Sequence, residues 1–88
     1  MTWEVRLSKD VARYLSRLEE KRRKMLRRVL EDFRENPFVG DVKPIKGRSG
    51  TYRRRIGSYR IIYSVDYEAH IVKVLKVGTR GDIYKSGI

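Results

Sequence analysis

Eighty-eight residues carry 22 Lys and Arg against 11 Asp and Glu, a net charge of +11. So strong a charge on a chain of single-domain length, residues 1–88, draws polyanions: nucleic acid, an anionic membrane or an acidic protein. No apolar run is long enough to span a bilayer, no signal-peptide core opens the chain, and one His with no Cys provides neither disulfides nor a zinc set. The expectation is therefore a cytoplasmic protein with no membrane anchor, metal or cofactor.

Thr2 to Leu7 alternates, with Trp3, Val5 and Leu7 on one side and Thr2, Glu4 and Arg6 on the other. That is the period of a half-buried strand. Ser8 suits an N-cap, and Asp10 puts negative charge into the first turn of the helix that follows. Val11, Leu15 and Leu18 mark an apolar stripe, resumed at Met25, Leu26, Val29, Leu30 and Phe33. Between the halves, Glu19 to Lys24 holds neither Gly nor Pro. Periodicity alone leaves one long helix and a hairpin bent near Glu20 both open. Length favours the hairpin, because a helix from residue 9 to residue 35 would be ~40 Å long, against a domain roughly 25 Å across. Asn36-Pro37 ends the helical region. Phe38 to Gly50 reads as a loop punctuated by Gly40, Pro44, Gly47 and Gly50, with Val42 and Ile45 anchoring it.

Thr51 to Val65, TYRRRIGSYRIIYSV, reads as two strands joined at Gly57-Ser58, where Gly accepts the positive φ of a two-residue turn. That turn pairs Ile56 with Tyr59, Arg55 with Arg60, Arg54 with Ile61, Arg53 with Ile62 and Tyr52 with Tyr63. Alternation then sorts the faces. Ile56, Tyr59, Ile61, Tyr63 and Val65 make an apolar face for the helices. Arg53, Arg55 and Arg60 share the other face with Ile62 and Ser64. Arg54 falls among the apolar residues, so its stem should lie along the sheet and its head at an edge. Arg opposite Arg weakens a strand pair by about 0.2–1 kcal/mol. A merely solvated face has no use for that opposition. A phosphate-holding surface does, since it needs forked donors crowded together.

A polar turn at Asp66 to Ala69 leads to a third strand, His70 to Val77, in which Ile71, Lys73, Leu75 and Val77 alternate with Val72, Val74 and Lys76. Apolar residues on both faces indicate a central or covered strand. His70 reads as a surface residue away from the arginines. Gly78 to Lys85 is a glycine-bearing tail with Arg80 and Tyr84. The order β-α-α-β-β-β describes an α+β fold, with two N-terminal helices as a hairpin on one face of a small, mainly antiparallel sheet. Lys21, Arg22, Arg23, Lys24, Arg27 and Arg28 read first as a solvated helix face. The functional reading of that run is non-specific contact with RNA phosphates.

With the elements in this order, the chain resembles the RelE/ParE toxin superfamily, and its RelE branch in particular. ENPF and GDVKPIKG, then YRRRIGSYRIIYSV, then IVKVLKVGTRGDIY carry the resemblance over most of the chain. It implies one RelE-like domain over residues 1–88, the toxin of a type II toxin–antitoxin system. The implied activity is a ribosome-dependent endoribonuclease that cuts messenger RNA in the decoding site by metal-free 2′-hydroxyl attack. The implied partners are the ribosome with its mRNA and rRNA, and an acidic, partly disordered RelB-like antitoxin. The toxin would be a monomer within the toxin–antitoxin hetero-oligomer. The catalytic positions carried over are Arg53 and Arg55 before the hairpin turn, Arg60 after it, and Arg80 and Tyr84 near the C-terminus. Arg60 would clamp charge, Arg80 would clamp or protonate the leaving group, and Tyr84 would orient or stack. The best-known RelE pattern has lysines where Arg53 and Arg55 stand. Arginine hardly releases its proton, so the general base stays open among Tyr84, an ordered water and ribosomal RNA. Two other readings are a ParE-type gyrase inhibitor on the same fold, against which the full basic and Tyr set argues, and a plain basic RNA-binding module.

Overall fold

The helical layer begins at Ser8, whose Oγ accepts the Val11 N–H at 3.1 Å and opens α1 (Lys9–Arg17). The computed structural model describes residues 2–85, with side chains for residues 2–83. At Leu18 the backbone becomes extended (φ −77°, ψ 150°), and Glu19 leads into α2 (Glu20–Asp32). The helices therefore form a hairpin. A single helix of ~40 Å would overrun the longest dimension of the molecule, 34 Å. No described helix is long and apolar enough to cross a membrane.

Beneath the hairpin lie β1 (Glu4–Leu7), β2 (Asp41–Pro44), β3 (Thr51–Ile56), β4 (Tyr59–Asp66) and β5 (Ile71–Thr79), in the order β1-β5-β4-β3-β2. β1 runs parallel to β5, and the other pairs are antiparallel. The β3–β4 register is the one the Gly57-Ser58 turn demands, with Arg55 across from Arg60 and Tyr52 across from Tyr63. Leu15, Leu26 and Phe33 of the helical layer close on Ile61, Tyr63, Val72 and Val74, all essentially without solvent contact. Burying one such side chain contributes about 1.5–3 kcal/mol, a large share for so small a core.

Three features of the backbone depart from the sequence reading. Residues 41–44 are an edge strand inside the expected loop. Asp, Lys and Pro have low strand propensity, and pairing with β3 overrides it, with Pro44 at the strand's end. The expected tail divides as well. Gly78 and Thr79 extend β5, and α3 (Arg80–Lys85) follows. The Thr79 N–H donates to Asp82 Oδ2 at 3.3 Å, and the Asp82 N–H donates to Thr79 Oγ1 at 3.4 Å, a reciprocal cap. Finally, β5 carries a bulge. Ile62 pairs with Lys76 but Tyr63 pairs with Val74, leaving Leu75 extra. The bulge shifts the phase, so Val77 follows Val74 into the core and Lys76 moves to the face of Ile62.

Arg54 does run out to an edge. Its guanidinium donates to the Val39 carbonyl, and a Cβ at Gly40 (φ 95°) would collide with it. At the far end of the sheet, His70 (φ 60°) is half-buried rather than a surface residue, because its ring stacks on Trp3 at 3.8 Å.

Candidate functional site

Register builds the face away from the helices as transverse rows. Asp41 pairs with Arg55, Arg55 with Arg60, and Arg60 with Gly78. In the neighbouring row Lys43 pairs with Arg53, Arg53 with Ile62, and Ile62 with Lys76. Paired residues share a face, so five cations from four strands gather on one surface. A cleft of about 220 Å³ opens between Lys43, Arg53 and Arg60, with buried Ile62 and Ile83 and with Pro44 and Ile45 also lining it. Gly78 allows α3 to fold back here, since a Cβ would stand 2.9 Å from that of Asp82.

Acceptors are scarce on this surface. Asp41 Oδ2 meets Arg55 Nε at 2.7 Å, and Asp41 Oδ1 lies 3.6 Å from Arg53 Nη2. The Arg53 Nε–H is buried with no hydrogen-bond partner among the described residues. An unmet buried donor of this kind costs about 1–3 kcal/mol. Among the described residues, no carboxylate comes within ion-pairing distance of Arg60. Asp82 is engaged in capping α3. The surface thus has spare forked donors and lacks acceptors, the chemistry that receives a phosphodiester. On the helical side, the Tyr14 hydroxyl is pushed above the ordinary tyrosine range, chiefly by burial and then by Tyr59 and Asp82, with Arg22 pulling it back.

The structure brings Arg53, Arg55 and Arg60 together. Arg80 opens α3 directly after Thr79, whose partner Tyr59 adjoins Arg60, so it starts at the same end of the sheet. Tyr84 belongs to α3, but its side chain lies outside the described residues. The basic run of α2 sits in the other layer and does not join this face. Lys24 pairs with Glu20 at 3.2 Å, Arg23 donates to the Leu18 carbonyl at 3.3 Å, and Arg22 reaches the Tyr59 hydroxyl at 3.5 Å. Lys21, Arg27 and Arg28 are exposed. Sequence reasoning missed Asp41, Lys43, Lys76 and Ile83 as members of the face. The available signal was the alternation Asp41-Val42-Lys43, with Val42 packed on the core.

The family model described as ParE toxin of type II toxin–antitoxin system, parDE, matches residues 2–84. The chain belongs to this RelE/ParE family of toxins. Toxins named RelE are among its relatives. Putative toxin RelE1 of Methanocaldococcus jannaschii is 30% identical over 98% of this chain and 99% of its own length. A chain of the archaeal RelE–RelB complex from Pyrococcus horikoshii superposes on the RelE-like toxin with a TM-score of 0.81 at 30% identity, covering 92% of this chain and 98% of that one. A chain of the RelBE2 toxin–antitoxin complex from Mycobacterium tuberculosis gives 0.78 at 28% identity, covering 91% and 100%. Both solved neighbours are toxin–antitoxin complexes. The RelE-like fold, a helical hairpin on one face of a mostly antiparallel sheet, is common to the group.

Proposed function

We propose that this RelE-like toxin is a ribosome-dependent endoribonuclease that cuts messenger RNA in the decoding site, with the arginine face as its chemical centre. One observation carries the reading. Arg53, Arg55 and Arg60 crowd one surface, two of them directly opposed, and a buried Arg53 N–H lacks an acceptor. One carboxylate, Asp41, offsets this crowding in part, and an RNA phosphate supplies the acceptors it lacks.

The reaction needs no metal. The ribose 2′-oxygen attacks the adjacent phosphorus, giving a cyclic phosphate and a free 5′-hydroxyl. Arg53 and Arg60 bind the phosphoryl oxygens, where negative charge grows in the transition state. Arg80 clamps or protonates the leaving oxygen, and Tyr84 orients or stacks on a base. The ribosome supplies positioning, which is worth much of such a barrier. The exposed cations of α2, among them Lys21, Arg27 and Arg28, touch ribosomal RNA without sequence preference. An acidic RelB-like antitoxin neutralises the +11 chain, in keeping with the toxin–antitoxin complexes among its structural neighbours.

The test is mapped cleavage of mRNA on programmed ribosomes with an empty decoding site, wild type beside Arg80→Ala and Arg60→Ala. Cuts in that site by wild type, reduced by about 10²–10³-fold in the variants, are expected. A folded wild type that cuts nothing refutes the nuclease. The ParE description of the matching family favours one second reading, a gyrase inhibitor without catalysis. Blocked supercoiling with intact mRNA would establish it instead.

A further inference from the structure

A 2′-hydroxyl needs a group to take its proton, and arginine has no lone pair to offer. We propose that Asp41 is that proton acceptor. The inference rests on the nuclease reading given above and names a catalytic residue within it.

Asp41 enters the face from β2 and heads the row that continues through Arg55 and Arg60. Its two oxygens are engaged differently. Oδ2 forms an ion pair with Arg55 Nε at 2.7 Å, which orients the carboxylate. Oδ1 lies 3.6 Å from Arg53 Nη2, beyond hydrogen-bonding length, so its lone pairs remain open. The side chain is 34% exposed, which leaves room for a ribose to approach. Every other charged group around it is a donor: Arg53 and Arg55 on β3, Arg60 on β4, and Lys43 two residues along β2. Asp82, the second carboxylate near this surface, already accepts the Thr79 N–H. His70 lies at the opposite end of β5 from Gly78.

The arrangement divides the work. As the 2′-oxygen bonds to phosphorus, its proton passes to Asp41 Oδ1. Arg53, one row away on the next strand, and Arg60, in the same row two strands away, hold the charge gathering on the phosphoryl oxygens. The P–O5′ bond breaks, and the 5′-oxygen, clamped by Arg80, takes a proton from water. The products are the 2′,3′-cyclic phosphate and the 5′-hydroxyl, and the Asp41 carboxyl returns its proton to solvent. The Arg55 contact also explains how arginines can stand where lysines stand in the best-known RelE pattern: one of them positions a base of another kind.

Asp41→Asn keeps the shape and a contact for Arg55 while removing the basicity. Two quantities decide the matter. One is single-turnover cleavage on programmed ribosomes. The other is affinity for ribosomes carrying mRNA with a 2′-deoxy nucleotide at the cleavage position, which binds but cannot react. The variant should cleave about 10²–10⁴-fold more slowly, with unchanged or tighter binding to the deoxy complex. Retained binding also shows that the variant is folded. A cleavage rate within about threefold of wild type, or a faster one, overturns the proposal, because loss of a general base must slow the chemistry more than that. An equal loss of rate and binding overturns it too, since Asp41 would then only hold the arginines in place. Failure of the nuclease reading looks different, with neither wild type nor Arg60→Ala cutting anything, and it removes the role of Asp41 with it.

Discussion

Replacing Arg60 with Met removes a charge and keeps an unbranched stem to lie beside Ile62 and Ile83. In the native fold Arg60 stands directly across from Arg55, with Arg53, Lys43 and Lys76 in the next row. Asp41 relieves Arg55 from its far side, and no described carboxylate ion-pairs with Arg60. A like-charge pair in this position destabilises by about 0.2–1 kcal/mol. In a domain of this size each kcal/mol moves Tm by roughly 4–8 °C, so Arg60→Met should melt about 1–8 °C above wild type at low salt. The gain is electrostatic and must fade as salt rises, since the screening length falls from about 30 Å at 0.01 M to about 3 Å at 1 M. Circular-dichroism melts at the two salt concentrations measure it, beside the ribosomal cleavage assay, in which the variant should be about 10²–10³-fold slower. Greater stability with lost activity is the signature of a residue kept for chemistry. A variant that melts lower than wild type at low salt, or a stability difference indifferent to salt, refutes the reasoning.

The buried Tyr63 hydroxyl donates to the Pro37 carbonyl, so Tyr63→Phe leaves that carbonyl unmet at a cost of about 1–3 kcal/mol and should lower Tm by roughly 4–24 °C. Burial, only partly offset by Arg54, raises the pKa of this hydroxyl. Its contribution is therefore complete below the usual tyrosine range and is lost as pH rises above about 10, and Y63F should lose less stability than wild type over that alkaline span. Thr79→Ala removes one half of the cap of α3 while the core stays intact. A Tm change under about 5 °C with at least about tenfold slower cleavage is expected, because α3 begins with Arg80 and carries Tyr84. Unchanged cleavage would disconnect α3 from the reaction.

A two-residue turn leaves strand pairing little freedom, which is why the hairpin segment by itself sets Arg55 against Arg60 and divides its residues between faces. The helical break near Glu20 is legible only through size, since nothing between Glu19 and Lys24 forbids continuation. β2 is hidden because Asp-Val-Lys-Pro acquires its strand from β3, whose partner residues lie eight to fourteen positions away. With it Asp41 and Lys43 are hidden, the acceptor of the face and one of the three cations that line the cleft. The bulge at Leu75 leaves no mark either. In IVKVLKV a lysine on either face is acceptable, and only pairing with β4 chooses the phase that sends Lys76 to the arginines and Val77 to the core. Arg54 is a milder case. Its departure from the apolar face is legible, but its acceptor, the Val39 carbonyl, depends on a loop whose path the local sequence does not dictate.

β5 is the last strand to be synthesised, yet it lies between β1 and β4 in the sheet. Until it emerges the first strand has nothing to pair with, the helices lack Val72, Val74 and Val77 beneath them, and the row through Arg60 stops at the hairpin. At about 5–20 residues per second, the stretch from Asp66 to Thr79 takes roughly one to three seconds to translate. During that interval the nascent chain has its arginine hairpin but not the strand that joins it to β1 and backs it against the helices. An arginine face seated in the full sheet therefore needs β5, and a chain interrupted before it has only β2, β3 and β4 to present the arginines.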